Sequence, residues 1–103
     1  MQYEVVLSEQ AEEDLRRIYA YIAFKLLAPD AAEHTLACLE NSMAALCDFP
    51  ERFRPYEREP WKSRGFRLMP VNRYVVFYYV REKEQTVFVT RVFYSGMNYS
   101  DPV

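Results

Sequence analysis

The chain has 103 residues, of which 50% are hydrophobic and 17% aromatic, and its formal net charge is −2. This composition fits a single globular domain over residues 1–103 and excludes a largely disordered chain. No apolar stretch approaches the roughly 20 residues that a membrane-spanning helix needs.

The N-terminal region predicts a strand followed by a helix. Its first ten residues, MQYEVVLSEQ, reach charged side chains too early for the apolar segment of a signal peptide, so we expect a cytoplasmic protein without membrane contact. Alternating apolar residues predict a short strand over residues 2–7. Ser8 then suits the N-cap of a helix, and Glu9 places a negative charge in its first turn.

Two helices are predicted in close succession. Helical spacing predicts the first to about residue 27, with an apolar stripe at Ala11, Leu15, Ile18, Tyr19, Ile22 and Leu26. Pro29 suits the first turn of a second helix that ends near residue 48. Its stripe is Ala32, Leu36, Leu39, Met43 and Leu46. A connection of two or three residues requires an antiparallel αα-hairpin.

The rest of the chain predicts a loop and three strands. Residues 50–63 contain three prolines, which exclude a helix and disfavour a central strand. Strands are predicted at 64–70, 73–81 and 86–94, and their short connections require antiparallel pairing. The predicted fold is α+β, a small antiparallel sheet in β-α-α-β-β-β order with the helical hairpin on one face. The polar tail after Gly96 is predicted to be mobile.

Alternation along residues 73–81 predicts which side chains share each face of the sheet. One row, predicted to pack on the helices, contains Tyr74, Val76, Tyr78 and Val80. The other row contains Arg73, Val75, Phe77, Tyr79 and Arg81. Because one helical hairpin covers only one face, we predict that Phe77, Tyr79 and Arg81 form an exposed surface that binds a partner. The alternative is that the C-terminal tail or a second copy of the chain covers this face.

The distribution of charge suggests the kind of partner. Residues 1–51 contain ten acidic and three basic side chains, giving −7, whereas residues 52–103 contain five acidic and ten basic side chains, giving +5. The basic half suits a polyanion or an acidic partner. Attraction between the two halves of one folded chain explains the same pattern equally well.

Few residues are available for metal or cofactor chemistry. Cys38 and Cys47 lie nine residues apart on a predicted helix, form no Cys-x-x-Cys pair, and have only His34 as a further soft ligand. The two glycines make no phosphate-binding loop, and no Ser–His pair supports a hydrolase triad. We therefore expect no metal and no cofactor. Any catalysis would rely on Arg, Tyr, Lys or carboxylate side chains.

Several segments, in their order and spacing, are similar to the RelE/ParE superfamily of toxins from bacterial type II toxin–antitoxin systems. They are YEVVLSEQAEEDLRRIYAYI, PDAAEHTL, LENSMAALCDFPERF, FRLMPVNRYVVFYYV and VFVTRVFYSGMNY. The resemblance covers nearly the whole chain and implies the same fold. It also implies a small antitoxin protein as partner and is compatible with a higher-order toxin–antitoxin complex.

The resemblance also implies two kinds of target. RelE-like members bind the ribosome and cut messenger RNA with basic residues and a terminal His or Tyr, whereas ParE-like members lack this set and inhibit DNA gyrase. This chain departs from the nuclease pattern, because Val75 stands where a catalytic Arg is expected and Phe66 and Leu68 stand where lysines are expected. Tyr94 occupies the position of the closing His.

Three functions therefore remain open. In the first, the protein is a metal-independent mRNA interferase in which Tyr94 assists attack by the 2′-hydroxyl and Arg67, Arg73 or Arg91 binds phosphate. A purely structural role, in which Arg67 and Arg91 pair with carboxylates of the helices, is the alternative for these two arginines. In the second, the protein inhibits DNA gyrase without catalysis. In the third, it is a degenerate toxin that only binds the antitoxin.

Overall fold

The computed structural model describes residues 2–96, and the predicted C-terminal tail lies outside them. Its main elements in chain order are β1 (Glu4–Leu7), α1 (Glu9–Ala20), α2 (Pro29–Ala44), β2 (Arg67–Val71), β3 (Tyr74–Arg81) and β4 (Thr86–Tyr94). The α+β class, the order of elements and the helical hairpin on one face are confirmed. The four strands form one sheet in the order β1-β4-β3-β2.

One pairing differs from the predicted antiparallel sheet. β2, β3 and β4 are antiparallel neighbours, as their short connections require, but β1 pairs with β4 in parallel, with Leu7 opposite Val89. The two helices, β2 and β3 all lie between β1 and β4 in the chain, so the short-connection argument does not apply to this pair. The sheet is therefore mixed.

The regular α-helical part of each helix in the hairpin is shorter than predicted. Ser8 caps α1 as expected, because its side-chain oxygen accepts a hydrogen bond of 3.0 Å from the backbone N–H of Ala11. After Ala20 the helix widens into a π-helical turn, Tyr21–Lys25, closed by the N–H of Leu26 donating to the carbonyl of Tyr21 at 3.0 Å. A π-helical turn rotates the following side chains relative to a continuous α-helix. α2 ends in a 3₁₀ turn, Ala45–Cys47.

The main core lies between the helices and the sheet. Leu15 of α1 and Leu39 and Met43 of α2 pack against Val76 and Tyr78 of β3 and against apolar residues of β4. The predicted helix-facing row of β3 is therefore confirmed. Burying such large apolar side chains is worth roughly 1.5–3 kcal/mol each, so this layer carries much of the stability of the fold.

A second core covers the other face of the sheet, and the predicted exposure of Phe77 is wrong. Phe77 is fully buried, and it packs with Tyr56 and Phe66 from the segment between α2 and β2. The Phe77 ring lies 5.3 Å from Tyr56 and 5.5 Å from Phe93, both edge to face. Neither the tail nor a second chain is needed to cover this face, because the chain's own loop does so.

Backbone hydrogen bonds hold this loop, residues 53–66, beside β2. The N–H of Tyr56 donates to the carbonyl of Phe66 at 2.8 Å, and the N–H of Leu68 donates to the carbonyl of Arg54 at 3.1 Å. These two bonds make residues 54–56 a short irregular continuation of the sheet. We call residues 53–66 the cap loop. Within residues 2–96, none of the helices combines the length and apolar character needed to cross a membrane.

Candidate functional site

A cleft of about 840 Å³ opens between the helical hairpin and the end of the sheet where β3 begins and β4 ends. The helical side contributes mainly apolar groups and the strand side contributes aromatic and basic groups. The cleft is lined by Asp14, Arg17, Ile18, Tyr21, Ile22, Leu26, Ala31, Thr35, Asn72, Arg73, Tyr74, Arg91, Val92, Phe93 and Tyr94. Three of the four predicted catalytic residues therefore line one cleft: Arg73, Arg91 and Tyr94.

Arg91 is engaged in the wall of the cleft by Asp14 of α1. Its guanidinium donates two hydrogen bonds to the Asp14 carboxylate, at 2.8 Å from Nε and 3.0 Å from Nη2. The same carboxylate accepts a bond of 2.9 Å from the backbone N–H of Val92. Both side chains are largely shielded, 17% exposed for Arg91 and 7% for Asp14. Arg91 therefore pairs with a helix carboxylate, as the structural role predicted for it requires.

A β-bulge explains why Arg91 reaches α1. Phe77 lies opposite Arg91 and Tyr78 lies opposite Val89, so Thr90 is the extra residue of β4. β1 pairs with β4 only as far as Val89, and within residues 2–96 the backbone beyond it has no strand neighbour on that side. The bulge redirects the chain at this point, and Asp14 satisfies a backbone N–H that pairing with β1 does not reach.

Tyr74 and Tyr94 close the strand side of the cleft. They are paired residues of β3 and β4, and their rings meet edge to face with centroids 5.8 Å apart. Burial raises the pKa of Tyr74, and the neighbouring Tyr94 shifts this pKa in the same direction. Tyr74 therefore remains a neutral phenol at physiological pH. Tyr94 is 44% exposed and Arg73 is also exposed, so both can contact a bound molecule.

The helical rim of the cleft is unusually apolar for a surface. Tyr21, the first residue of the π-helical turn, and Leu26, the residue after the turn, are each 55% exposed and line the cleft. Phe24 of the same turn is 72% exposed and Leu27, two residues after the turn, is 82% exposed, and both lie outside the lining. Large exposed apolar patches on small domains commonly mark protein-binding surfaces, and π-helical turns often occur at functional sites.

Arg67 lies apart from the cleft. It pairs in register with Tyr78, and its Nη1 donates to the carbonyl of Phe53 at 2.6 Å at the start of the cap loop. The Tyr78 hydroxyl donates to the carbonyl of Pro50 nearby. Both side chains thus fasten the segment after α2 to the sheet, and the structure does not bring Arg67 together with Arg73 and Tyr94.

The predicted partner-binding residues are also separated from the cleft. Tyr79 and Arg81 lie on the outer face of the sheet beside the buried Phe77, where Tyr79 is half-buried and Arg81 is exposed. The Arg81 guanidinium lies 5.7 Å from the Tyr79 ring centroid. These two residues remain available to a partner, whereas contact with Phe77 would require displacement of the cap loop.

Sequence reasoning missed the helical side of the cleft. Tyr21 and Leu26 belong to a helical apolar stripe or its edge, a pattern that predicts core packing. In the structure both side chains are exposed, at the first residue of the π-helical turn and just after its last. The signal available in the sequence was an excess of large apolar residues, YIAFKLL at 21–27, just before the break at Pro29. This run contains more large apolar side chains than one face of a helix can bury.

The sequence of the chain matches a family model over most of its length. The model describes the ParE toxin of the type II toxin–antitoxin system parDE, and the match extends over residues 5–99. The chain belongs to the ParE toxin family. No curated protein matches it significantly in sequence. The similarity to the RelE/ParE superfamily that the motifs indicate is thus confirmed.

Three solved structures share the fold of this ParE-family chain. A chromosomal ParDE system from P. aeruginosa superimposes with a TM-score of 0.75 at 16% identity, covering 90% of this chain and 96% of that one. The RelBE2 toxin–antitoxin complex from Mycobacterium tuberculosis gives 0.65 at 22% identity, covering 91% and 99%. A mutant E. coli toxin RelE in the free state gives 0.61 at 17% identity, covering 93% and 86%.

Proposed function

We propose that this protein is a growth-inhibiting toxin that acts by binding a protein target, with DNA gyrase as the expected target, and that an antitoxin neutralises it. The observation that carries the proposal is the cleft, whose helical rim exposes Tyr21 and Leu26 beside the basic side chains of Arg17 and Arg73. An apolar rim flanked by cations suits a protein segment better than it suits a nucleic-acid backbone.

The hydrogen bonds that the predicted phosphate-binding arginines already make favour a protein-binding toxin over a catalytic one. Arg91 already donates two hydrogen bonds to Asp14, and Arg67 donates to a main-chain carbonyl outside the cleft. Cleavage of RNA without a metal needs several positioned charges around one phosphate. Of the predicted set, Arg73 and Tyr94 alone combine exposure with a place in the cleft. This is a small set for stabilising a phosphorane-like transition state.

The charge of the cleft indicates the chemistry of the antitoxin segment that would lie in it. The Asp14 carboxylate and the Arg91 guanidinium compensate each other, which leaves Arg17 and Arg73 as the remaining charged lining residues. The segment should therefore present apolar side chains on one face and acidic side chains at its margins. An amphipathic helix placed in a hydrophobic groove meets this description.

Antitoxin binding is tested by co-purification with the product of the adjacent reading frame. We expect Leu26→Asp and Tyr21→Asp to weaken the complex at least tenfold, because each places a charge in the apolar rim. Phe24→Asp is the matched control, since it adds the same charge on the same turn outside the cleft. Equal weakening by all three variants would contradict a cleft-specific antitoxin site.

The cellular target is tested by induction of the toxin in growing bacteria. A gyrase inhibitor should trigger the DNA-damage response while transcripts stay intact, and primer extension provides the transcript measurement. Transcripts cut within codons would contradict the proposal and support the second candidate, a metal-independent mRNA interferase. The exposure of Tyr94 beside Arg73 in the cleft is the observation that favours this second candidate. Induction without growth arrest would instead indicate a degenerate toxin.

A further inference from the structure

The solvent-facing side of α2 brings together the single histidine of the chain and one of its two cysteines. His34 and Cys38 lie four residues apart, about one helical turn, so their side chains share a face of α2. The Nε2 atom of His34 lies 3.6 Å from the Sγ atom of Cys38. His34 is exposed and Cys38 is half-buried, so both are accessible from solvent. We call these two residues the His–Cys pair.

The distance between these two atoms suits a shared metal ion. Imidazole nitrogen and thiolate sulfur are the ligands that zinc prefers in proteins. Zinc bonds of about 2.0–2.1 Å to nitrogen and about 2.3 Å to sulfur, at the tetrahedral angle, place the two ligand atoms about 3.5–3.6 Å apart. The observed distance of 3.6 Å matches this value. The His–Cys pair can therefore bind one zinc ion without a change in α2.

One chain supplies only half of the ligands of a zinc site. Structural zinc is bound by four protein ligands. Within residues 2–96, no group of three or more His, Cys, Asp and Glu side chains is arranged to hold a metal ion. The second thiol, Cys47, is the last residue of the 3₁₀ turn after α2 and is not part of the pair. The two missing ligands must come from another molecule, and a second copy of this chain presents the same two.

The surface around the His–Cys pair allows a second α2 to approach. The exposed neighbours on the same face, Ala37 and Asn41, have short side chains that do not hold two helices apart. α2 has three acidic side chains, Asp30, Glu33 and Glu40, and no basic ones. Two such helices repel each other, and a divalent cation between them lowers this repulsion. The contact between two copies should therefore depend on the metal.

We propose that the His–Cys pair is half of a zinc site, and that two copies of the chain bind one zinc ion through His34 and Cys38 of each. Four protein ligands, two thiolates and two imidazoles, then surround the ion. Each Cys38 thiol loses its proton to solvent, each sulfur donates an electron pair to zinc, and Nε2 of each neutral imidazole donates another. The sequence expectation of no metal considers one chain alone, whereas this site needs two. Neither residue lines the cleft, so the site does not rest on the proposed function.

The site is tested with the purified full chain under reducing conditions, which exclude disulfide-linked dimers. Sedimentation velocity measures the mass with added zinc chloride, and again after addition of EDTA. Titration with cobalt(II), a coloured substitute for zinc, reports the ligands, because thiolate coordination gives a near-ultraviolet charge-transfer band and tetrahedral geometry gives strong visible bands. We expect the thiolate band, one metal ion per two chains, and a dimer that returns to monomer in EDTA.

Cys38→Ser and His34→Ala should each weaken metal binding and metal-dependent dimerisation at least about tenfold, because each removes two of the four ligands of the dimer. Cys47→Ser is the matched control, since it removes the other thiol and should leave both measurements unchanged. The proposal is overturned if zinc leaves the chain monomeric, if the dimer forms equally without zinc, or if one ion binds per chain. It is also overturned if the cobalt complex lacks the thiolate band or if Cys47→Ser has the same effect as Cys38→Ser. Circular dichroism of each variant confirms that the fold is intact.

Discussion

Asp14 and Arg91 form a two-point ion pair, at 2.8 and 3.0 Å, that fastens α1 to the bulged end of β4. The two residues are 77 positions apart in the chain, yet the Asp14 carboxylate also accepts the backbone N–H of Val92. The buried Asp14 carboxylate thus pairs with a cation and also accepts a hydrogen bond from a backbone N–H of β4. This contact fixes the distance between the two walls of the cleft, so its energetics bear directly on the candidate site.

Asp14→Asn should destabilise the fold by about 3 kcal/mol, because it leaves the guanidinium of Arg91 shielded from water without its counter-charge. Urea denaturation followed by circular dichroism measures this change in the free energy of unfolding. Glu13→Gln is the matched control, since it removes an exposed carboxylate that pairs with Arg16 and should cost less than about 1 kcal/mol. Equal effects of the two substitutions would show that the Asp14–Arg91 pair has no special structural role.

Phe77→Ala should destabilise the fold by about 3–5 kcal/mol, since it removes a fully buried ring from the second core, on the outer face of the sheet. The change in the free energy of unfolding is again measured with urea. Leu27→Ala, which truncates a side chain that is 82% exposed, is the control and should change stability by less than about 1 kcal/mol. A small effect of Phe77→Ala would mean that the cap loop does not cover this face in solution.

Tyr78→Phe should lower stability by about 1–3 kcal/mol at pH 8, because the buried carbonyl of Pro50 loses its donor. Burial raises the pKa of Tyr78 to about 12, so folding favours the neutral phenol. The contribution of the Tyr78 hydroxyl to the free energy of unfolding is therefore fully present below pH 10 and is lost as the pH rises toward 12.

The test compares urea denaturation of the wild type and of Tyr78→Phe at several pH values. The two proteins differ only at this residue, so the difference between the two free energies of unfolding isolates Tyr78. We expect this difference to narrow above pH 10. A constant difference across the alkaline range would exclude the titration of Tyr78 as its cause.

The local elements of the fold could be predicted because their signals lie within a few residues of one another. Ser8 and Glu9 mark the start of α1, and the alternation along residues 73–81 correctly assigns Tyr78 to the helix-facing row. The predicted strand at 86–94 matches the bounds of β4. The family resemblance is carried by these same segments, so the fold and the family could be predicted together.

The cover of the outer face could not be predicted because the cap loop has no periodicity. The three prolines of residues 50–63 exclude a helix and a central strand but predict no fold for the loop, and Tyr56, Trp61 and Phe66 recur every five residues, which matches neither a helix nor a strand. The assignment of Phe77 to the outer face is correct, but its predicted exposure is wrong for this reason. The Asp14–Arg91 pair depends on a bulge at Thr90, and strand register of this kind is a tertiary property.

Tyr94→Phe separates the two candidate activities, since it removes the hydroxyl that RNA cleavage needs and keeps the ring that packs against Tyr74. If the protein acts by binding a protein target, growth arrest should persist with at most a severalfold loss of potency. Tyr21→Phe is the matched control, because it removes a hydroxyl from the opposite rim of the same cleft. Loss of growth arrest for Tyr94→Phe alone, with antitoxin binding unchanged in co-purification, would contradict the proposed function and assign the Tyr94 hydroxyl a catalytic role.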